Sequence, residues 1–345
     1  MGVLADELLV GLGPVVERGD LAFSEAPAVL SGGFFTENHS FRLADVPPPW
    51  NGPMVVRLFP VVVSDDAVRR EAVVQRELGA AGFPTPAVVH FDPDARIDGR
   101  RYFIMEHMPG TPLMGGIRAR ALMRDGPRLL PRLARVTAEV QADLHAIEPG
   151  PVIAALDSTP ATIERWFDEL QRLIDSGGVG FAAGLRWLIA NRPVERGRLA
   201  VCHGDLHPGN ILVDDDGEVT AVLDWTVATI AEPVLDVGFT TMALSLAPID
   251  VPRPVQRVMS RFGRGIANGY VRAYSARTGG DLSNRPYYEA LRCALEVGHA
   301  ASYRLAAAVG RGREQPRPPW DSIADAMVRY FRVRTGVEIT MPAPV

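Results

Sequence analysis

Residues 203–210, which read His-Gly-Asp-Leu-His-Pro-Gly-Asn, carry the side chains best suited to chemistry in this sequence. Asp205 and Asn210 stand five positions apart, and the glycines and proline around them favour a sharply turning loop. A predicted hairpin follows and can return the chain so that Asp224 comes beside Asn210. Carboxylate and amide oxygens with no thiol among them suit a hard cation such as Mg²⁺.

These three side chains match what phosphoryl transfer requires. One carboxylate positions an attacking hydroxyl and accepts its proton, while an amide and a second carboxylate hold the metal that bridges the phosphates. Asp205 is therefore the candidate catalytic base, and Asn210 and Asp224 are the candidate metal ligands. A His-x-Asp pair alone is weak evidence, but the later Asn, the Asp beyond a hairpin and a Pro-x-x-Asp ending at Asp236 favour the catalytic interpretation.

The elements that must position these residues change in character at Pro109-Gly110. Before this point, short segments rich in β-formers surround one helix, for which Asp65 or Asp66 is the expected N-cap. After it, apolar residues recur every three or four positions, which indicates long helices. We predict an α+β chain with a β-rich domain over 1–107 and a mainly helical domain over 108–345. The predicted strands are 28–35, 38–44, 53–59, 87–91, 102–107, 199–203, 211–213 and 218–223, and the predicted helices are 66–80, 129–147, 163–174, 181–191, 254–276, 286–309 and 320–335.

The composition limits the classes of function. A chain of 345 residues with 47% hydrophobic and 22% charged residues is typical of a globular protein. The net charge of −5 does not favour a nucleic-acid partner, and no apolar run is long enough to predict a membrane span. The first residues include Asp6 and Glu7 and no early cation, unlike a secretory signal, so we expect a cytoplasmic protein. Cys202 and Cys293 are expected to be small buried residues.

Basic residues are exclusively arginine: all 36 are Arg and none is Lys. Mechanisms that need a lysine, such as Schiff-base chemistry or a Walker phosphate loop, are therefore excluded. The seven histidines show no ligand spacing that predicts zinc. Among them, His145 is expected to be a packed helix residue, and His207 either touches a substrate or stabilises the loop.

The motifs resemble the aminoglycoside phosphotransferase family, small-molecule kinases with a protein-kinase-like fold. Residues 203–210 followed by Asp224-Trp225 are similar to its catalytic loop and metal motif. The resemblance runs from about residue 28 to 240 and gives the C-terminal hundred residues no specific support. Its further matches are residues 30–34 with Asn38 for the nucleotide loop, Arg70-Glu71 with Leu78, Pro84 and Pro86 for the N-terminal helix and strand entry, residues 104–110 for the hinge, Leu144-His145, and Glu232-Pro233 with Asp236.

The resemblance implies a bilobal protein-kinase-like fold, with ATP and Mg²⁺ as cofactors and a small-molecule hydroxyl as acceptor. It does not distinguish ATP from GTP. It implies a catalytic loop over 203–210 and a metal-binding hairpin over 211–224, and we expect the helices over about 241–335 to bind the acceptor. The implied roles are Asp205 as catalytic base, Asn210 and Asp224 as Mg²⁺ ligands, Asp236 and His203 as structural support of the loop, Ser31, Gly32, Gly33 and Phe34 over the nucleotide phosphates, and Met105, Glu106 and Met108 at the adenine.

Two positions depart from the family pattern. Arg57 stands where kinases place a phosphate-binding Lys, and Glu71 is its expected ion-pair partner, with Glu77 as the alternative. Arg can hold phosphate through its planar fork, although Arg57 could instead be a surface cation. Thr226 stands where many relatives have Glu, which weakens any prediction of an additional metal ligand.

The function implied by the resemblance is an ATP-dependent small-molecule kinase that transfers the γ-phosphoryl group to a hydroxyl of an antibiotic or metabolite. The alternative is a catalytically inactive nucleotide-binding protein, which Arg57 supports. A protein kinase fits less well, because Asp236 follows Asp224 within twelve residues and leaves no recognisable activation segment.

The charge distribution bears on the acceptor. Residues 241–345 hold 15 Arg against 8 acidic residues, a net charge of +7. This disfavours a polycationic aminoglycoside and favours a neutral or anionic acceptor, such as a macrolide, a sugar, an amino alcohol or another metabolite. The identity of the acceptor and the oligomeric state stay open at this point.

Overall fold

The largest sheet lies within residues 23–106, and helices dominate the rest of the chain. The computed structural model describes residues 2–30, 36–115, 119–156, 163–194, 197–246, 253–311 and 317–343, with the side chains of 119–127 and 253–260 excepted. The helices are α1 (Gly2–Val16), α2 (Asp65–Ala80), α3 (Ala119–Ala146), α4 (Gly150–Leu156), α5 (Glu164–Asp175), α6 (Ala182–Ala190), α7 (Pro233–Leu246), α8 (Arg253–Thr278), α9 (Arg285–Ala308) and α10 (Ala324–Thr335). The strands are β1 (Phe23–Leu30), β2 (Glu37–Leu43), β3 (Met54–Leu58), β4 (Val88–His90), β5 (Tyr102–Glu106), β6 (Thr111–Pro112), β7 (Ala200–Cys202), β8 (Ile211–Val213), β9 (Val219–Val222) and β10 (Thr229–Ala231). These elements confirm the predicted α+β class.

Two compact units make up the chain. The first comprises Met1–Pro112, Ala154–Asp157 and Ile211–Ala228, and the second comprises Leu113–Ile153, Ser158–Asn210 and Thr229–Val345. The hairpin of β8 and β9 belongs to the first unit because β8 pairs with β6 and the Val222 N–H donates to the Pro84 carbonyl at 2.7 Å. The division at residue 107 stays a prediction.

The first unit is built on an antiparallel sheet in the order β1-β2-β3-β5-β4. Successive side chains of a strand point to opposite faces, so β3 contributes to two layers. Val56 and Leu58 pack with Leu8 and Leu12 of α1 on one face. On the other face, Val55 packs in a cluster that also contains Val68 and Ala72 of α2 and Phe103 of β5. The sheet is therefore covered by a helix on each side.

The sequence analysis did not predict α1. Leu8, Leu12 and Val16 recur at four-residue spacing and are all buried, which is the pattern of a helix with one apolar face. Burying a leucine side chain contributes about 1.5–3 kcal/mol, so this face is enough to dock the helix.

The predicted N-cap of α2 was wrong. Ser64 is the cap, and its Oγ accepts a hydrogen bond from the Ala67 N–H at 3.3 Å. Asp65 and Asp66 instead occupy the first turn, where their negative charges face the positive end of the helix dipole. Ser and Asp are equally good caps, and the spacing alone did not decide between neighbouring positions.

The second unit has a helical core. Its buried cluster includes Phe239 and Met242 of α7, Leu291 and Val297 of α9, and Phe331 of α10. The sequence analysis missed α7 because Val234 to Ser245 are buried on every side, so the helix shows no apolar face and no helical period. The short elements α4, β6 and β10 were also not predicted. Within the described residues, no helix combines the length and the apolar character needed to cross a bilayer.

Candidate active site

The loop of residues 203–210 is held by hydrogen bonds to its backbone. The N–H groups of His203 and Gly204 donate to the two carboxylate oxygens of Asp236, each at 2.8 Å. Gly204 has φ of 79°, a left-handed conformation that favours glycine. The Asp205 N–H donates to Nδ1 of His203 at 3.2 Å, and His203 is fully buried. The backbone immediately before Asp205 is therefore fixed by hydrogen bonds to Asp236.

Asp236 itself is fully buried at the start of α7. Its Oδ2 lies 3.1 Å from Nε2 of His145, whose Nδ1 lies 2.7 Å from the Tyr274 hydroxyl. Burial acts to raise the pKa of Asp236, but the hydrogen bond and charge of His145 and the charge of His203 outweigh it, and the net shift is downward. Asp236 is thus an ionised acceptor for the backbone of the loop.

The same region brings His145, Cys202 and Asp236 within 4.8 Å of one another, an arrangement that could hold a metal. The contacts of these residues are those of a hydrogen-bond network instead. The Cys202 thiol donates to the Ala231 carbonyl at 3.6 Å, and burial raises the pKa of this thiol well above its usual value. Both oxygens of Asp236 accept from the loop backbone. The cluster therefore serves as a brace of the loop.

Asn210 ends the loop with its side chain anchored. Its Nδ2 donates to the Asp205 carbonyl at 3.0 Å, and its own N–H donates to the His207 carbonyl at 2.9 Å. This fixes the amide so that Oδ1 is the atom that could ligate a cation. Nδ1 of His207 accepts from the Gly209 N–H at 3.0 Å, while its Nε2 lies 4.0 Å from Oδ2 of Asp205. The first contact stabilises the loop and the second puts the imidazole beside the carboxylate.

A guanidinium from α9 contacts Asp205. Nη2 of Arg292 donates to Oδ1 of Asp205 at 3.1 Å and lies 2.7 Å from Oε1 of Glu296. The Asp205 side chain is 31% exposed and that of Arg292 is 11% exposed. The carboxylate that the sequence nominates as catalytic base is therefore one half of an ion pair.

In the first unit, Arg57 lies in a buried cluster of charges. Its Nε lies 2.9 Å from Oε1 of Glu71, so the predicted ion pair is present and Glu71, not Glu77, is the partner. Its Nη2 donates to Oδ1 of Asp224 at 2.8 Å and to Oγ1 of Thr226 at 3.0 Å. Arg57 is only 6% exposed, so the surface-cation alternative is wrong.

The charges in this cluster are strongly coupled. Burial raises the pKa of Glu71 to about 7, against the opposing influence of the Arg57 charge and the Thr226 hydrogen bond. Burial also acts to lower the pKa of Arg57, but Glu71 and Asp224 outweigh it and raise the pKa. A guanidinium keeps its charge in proteins, so Arg57 is a cation, and with a pKa of about 7 Glu71 is fully ionised beside it only above neutral pH.

The backbone presents Asp224 in a left-handed conformation, with φ of 67°. Only a small share of non-glycine residues adopt this region, and Asp is among those that tolerate it. Trp225 anchors the turn: it is fully buried, and its Nε1 donates to Thr85 Oγ1 at 2.9 Å and to the Val222 carbonyl at 3.2 Å. The buried Trp225 thus fixes the backbone that carries Asp224 at the end of the hairpin.

Comparison with known proteins decides the family. A sequence model described as "Phosphotransferase enzyme family" (APH) matches residues 36–285, well over half of the chain. This chain belongs to the phosphotransferase enzyme family. The resemblance to the aminoglycoside phosphotransferase family is confirmed, and family membership supports a phosphotransferase.

Solved structures share the fold of this phosphotransferase family member at low sequence identity. A Ralstonia eutropha JMP134 protein assigned to the aminoglycoside phosphotransferases has 17% identity and a TM-score of 0.67, covering 97% of this chain and 99% of that one. Macrolide 2'-phosphotransferase type I has 16% identity and a TM-score of 0.55, covering 99% and 100%. A thermostable mutant of aminoglycoside phosphotransferase APH(4)-Ia, in ternary complex with ADP and hygromycin B, has 17% identity and a TM-score of 0.57, covering 95% and 98%. The predicted protein-kinase-like fold is thereby confirmed.

Curated relatives match only parts of this family member. Acyl-CoA dehydrogenase family member 10 of Mus musculus is 27% identical over 191 residues, which is 53% of this chain and 17% of the relative. Acyl-CoA dehydrogenase family member 11 of Gallus gallus is 27% identical over 188 residues, 53% of this chain and 24% of the relative. The Bacillus subtilis protein YcbJ is 34% identical over 111 residues, 30% of this chain and 35% of the relative. The chain thus spans less than half the length of these relatives.

The predicted nucleotide-contacting segments divide into two groups. Ser31, Gly32, Gly33 and Phe34 lie outside the described residues and before the stretch that the family model matches. In the predicted hinge, Met105 is buried and its sulfur accepts from Nε2 of Gln75 at 3.5 Å. The Glu106 N–H donates to the Ala87 carbonyl, so the backbone donor that the adenine hypothesis needs is that of Met108. Their role toward a nucleotide stays a prediction.

The sequence analysis did not predict the contacts that three residues make in these clusters. Arg292 and His145 reach the loop of the second unit from distant helices, and Thr226 joins Arg57 and Asp224 in the first unit. Arg292 and Glu296 stand at i and i+4 on one helix, and this spacing predicts an ion pair between them. The spacing does not predict that Arg292 also contacts Asp205. The Leu144-His145 match to the family was the one available hint for His145.

Proposed function

We propose that this chain is an ATP-dependent small-molecule kinase that transfers the γ-phosphoryl group to an alcohol hydroxyl. The observation that carries the proposal is the loop of residues 203–210, where Asp236 binds the backbone at two N–H groups and leaves Asp205 at the loop surface. Positioning of this kind is the main demand of phosphoryl transfer, since the transition state needs little covalent help.

In the proposed reaction, Asp205 accepts a hydrogen bond from the acceptor hydroxyl and then takes its proton. The acceptor oxygen forms a bond to the γ-phosphorus as the bond from that phosphorus to the β,γ-bridging oxygen breaks. The products are a phosphate monoester of the acceptor and ADP. Arg57, with its permanent charge and planar fork, is the residue for the nucleotide phosphates, and Glu71 holds it in place.

The donor chemistry of Asn210 and Asp224 fits Mg²⁺. Both supply oxygen atoms, and the Asn210 amide is already oriented by its bond to the Asp205 carbonyl. When bound, the ion would neutralise charge on the phosphates. Asp224 accepts hydrogen bonds from Arg57 and Thr226, so these two side chains set the orientation of the carboxylate.

We further propose a neutral or anionic acceptor. The Arg292 guanidinium lies 3.1 Å from Oδ1 of Asp205, and residues 241–345 carry a net charge of +7. A polycation would meet repulsion there unless acidic groups compensated it. The ternary complex with hygromycin B concerns the protein in that structure, and the charge pattern here argues for a different acceptor class.

The test measures ADP release with wild-type protein, Mg²⁺-ATP and a panel of neutral, anionic and aminoglycoside acceptors. For an accepted substrate, Asp205→Ala should lower turnover by about 10²–10⁴-fold while nucleotide affinity and melting temperature stay near wild type. Near-normal turnover by this variant would remove Asp205 from its role. Efficient turnover of kanamycin-type acceptors would contradict the charge argument.

The hydrogen bond from Arg57 to Asp224 favours a second candidate, a nucleotide-binding protein without transfer activity. This hydrogen bond pairs Asp224, the predicted metal ligand, with the Arg57 cation. Nucleotide binding that needs no Mg²⁺, together with no turnover of any acceptor, would support this alternative over the kinase.

A further inference from the structure

Arg292 reaches the predicted catalytic carboxylate from a part of the chain that no motif covers. It lies on α9, 87 residues after Asp205, and its Nη2 donates to Oδ1 of Asp205 at 3.1 Å. This position falls beyond residue 285, where the family model ends. The contact is therefore a feature of this chain's C-terminal helices.

The guanidinium is fixed from two further directions. Its Nη2 lies 2.7 Å from Oε1 of Glu296, one turn further along α9. Its Cζ lies 5.2 Å from the centroid of the Phe239 ring on α7, a cation–π geometry. Arg292 is thus held by its own helix and by a neighbouring one, whether or not Asp205 is present. A group held in this way can orient the side chain that it contacts.

Glu296 in turn contacts His299, which also contacts Glu169. Nδ1 of His299 lies 3.4 Å from its Oε2, and Nε2 of His299 lies 2.7 Å from Oε1 of Glu169 on α5. Charges of opposite sign therefore alternate from Asp205 to Glu169. Each ionised side chain faces a counter-charge, which reduces the cost of burying Arg292 and Glu296.

A second buried arginine on the same helix provides a comparison. Nε of Arg304 donates to Oδ1 of Asp321 at 2.6 Å, and both residues are buried. That pair joins α9 to the turn before α10 and lies outside the predicted catalytic loop. In contrast, the Arg292 pair ends on a carboxylate that is about one third exposed and needs no buried counter-charge. Arg292 also neutralises the buried Glu296, and its guanidinium extends this pairing to the carboxylate of the predicted catalytic loop.

We propose that Arg292 is a positioning residue, which holds the Asp205 carboxylate in the orientation that receives the acceptor hydroxyl, with Glu296 and Phe239 holding Arg292. The inference rests on the proposed role of Asp205. The backbone of the loop is fixed by Asp236, and Arg292 fixes the side chain that the backbone presents. Misplacement of a reacting group by about 1 Å can cost on the order of 10²-fold in rate, so the effect should appear in kcat.

The test compares Arg292→Ala, Arg292→Lys and the matched control Arg304→Ala in the full chain, with an acceptor from the panel. For Arg292→Ala we expect kcat to fall by about 10–10²-fold, with the Kd for Mg²⁺-ATP within about twofold of wild type. Millimolar guanidinium or methylguanidinium should restore part of the lost turnover. Arg292→Lys, which keeps a point charge, should retain more activity than Arg292→Ala. Arg304→Ala should lower the melting temperature without a guanidinium-dependent change in kcat.

Wild-type kcat in Arg292→Ala would overturn the proposal. So would a loss that guanidinium does not relieve and that matches an equal loss of nucleotide binding. If Arg292→Ala does not fold, Arg292→Met combined with Glu296→Leu removes both buried charges and allows the same measurement.

A crystal structure of the Arg292 variant that folds separates this proposal from the proposed function. An Asp205 carboxylate that leaves its wild-type position supports positioning, and one that keeps it overturns the proposal, whatever the activity. A wild-type protein that phosphorylates no acceptor would count against the kinase function alone.

Discussion

Arg57 and Asp224, 167 residues apart in sequence, are joined by a hydrogen bond of 2.8 Å between Nη2 and Oδ1. The same guanidinium faces Glu71, so one cation serves a buried carboxylate of α2 and the carboxylate that the sequence nominates as a metal ligand. Because removing one partner of a buried pair leaves the other charge uncompensated, the cluster couples stability to the candidate site.

Arg57→Ala should destabilise the protein by about 1–3 kcal/mol at neutral pH, where Glu71 can take up a proton once its cation is lost, and by more as the pH rises. The double variant Arg57→Met with Glu71→Leu should recover most of that loss, since it removes both charges and keeps the volume. Urea unfolding monitored by fluorescence measures both. Both variants should bind nucleotide more weakly than the wild type, because both lack Arg57. Equal destabilisation in both would contradict the ion-pair account.

Thr226 has one hydroxyl proton for two carboxylates: its Oγ1 lies 3.1 Å from Oε2 of Glu71 and 2.6 Å from Oδ1 of Asp224. Thr226→Val keeps the shape and removes this donor, so we expect a loss of about 1–3 kcal/mol. Thr226→Ser keeps the hydroxyl and is the matched control, with a smaller loss. A valine variant as stable as the serine variant would show that the hydroxyl contributes nothing.

Asp236→Asn should destabilise the protein by about 3–5 kcal/mol, because one amide oxygen replaces two carboxylate oxygens that accept from His203 and Gly204 and face His145. Chemical denaturation at pH 7 measures this loss. A change within about 0.5 kcal/mol would contradict the role of Asp236 as the brace of the loop.

The same variant carries a pH signature. The pKa of Asp236 is lower in the folded protein than its ordinary value of 3.8. A lowered folded-state pKa contributes stability that is complete above the unfolded value and is lost as pH falls through the folded value. The stability gap between wild type and Asp236→Asn should therefore be constant from pH 7 to about pH 5 and shrink below about pH 4. A gap that widens on acidification would have the wrong sign.

Gly110 has φ of 113°, and a Cβ at this position would lie 2.7 Å from the Val213 carbonyl oxygen and 2.8 Å from Thr220 Oγ1. Gly110→Ala should therefore cost about 1–3 kcal/mol more than Gly99→Ala, since Gly99 is also left-handed but has open space around it. Thermal unfolding of the two variants makes the comparison. Equal losses would show that the backbone angle, not the close approach of the hairpin, explains this glycine.

Sequence reasoning could nominate the candidate site residues because each is encoded in a local motif. Asp205 and Asn210 share one loop, Asp224 ends the hairpin that follows, and the backbone contacts of Asp236 match the expected brace. Most of the strands and the amphipathic helices were likewise predicted, since alternation and helical spacing reflect a single buried face. The all-apolar helix α7 escaped because burial on every side erases the period.

The sequence by itself predicted the α+β class, its motifs indicated the family by resemblance, and it nominated the side chains proposed for phosphoryl transfer, because each of these rests on residue type and short spacing. Only the tertiary structure decided which charges meet across the fold. Arg292 pairs with Asp205, and His145 lies against Asp236, because the packing of α9 and α3 around the loop sets the register of each helix. The spacing of residues along the chain does not predict this register, because the register depends on how whole helices pack in three dimensions.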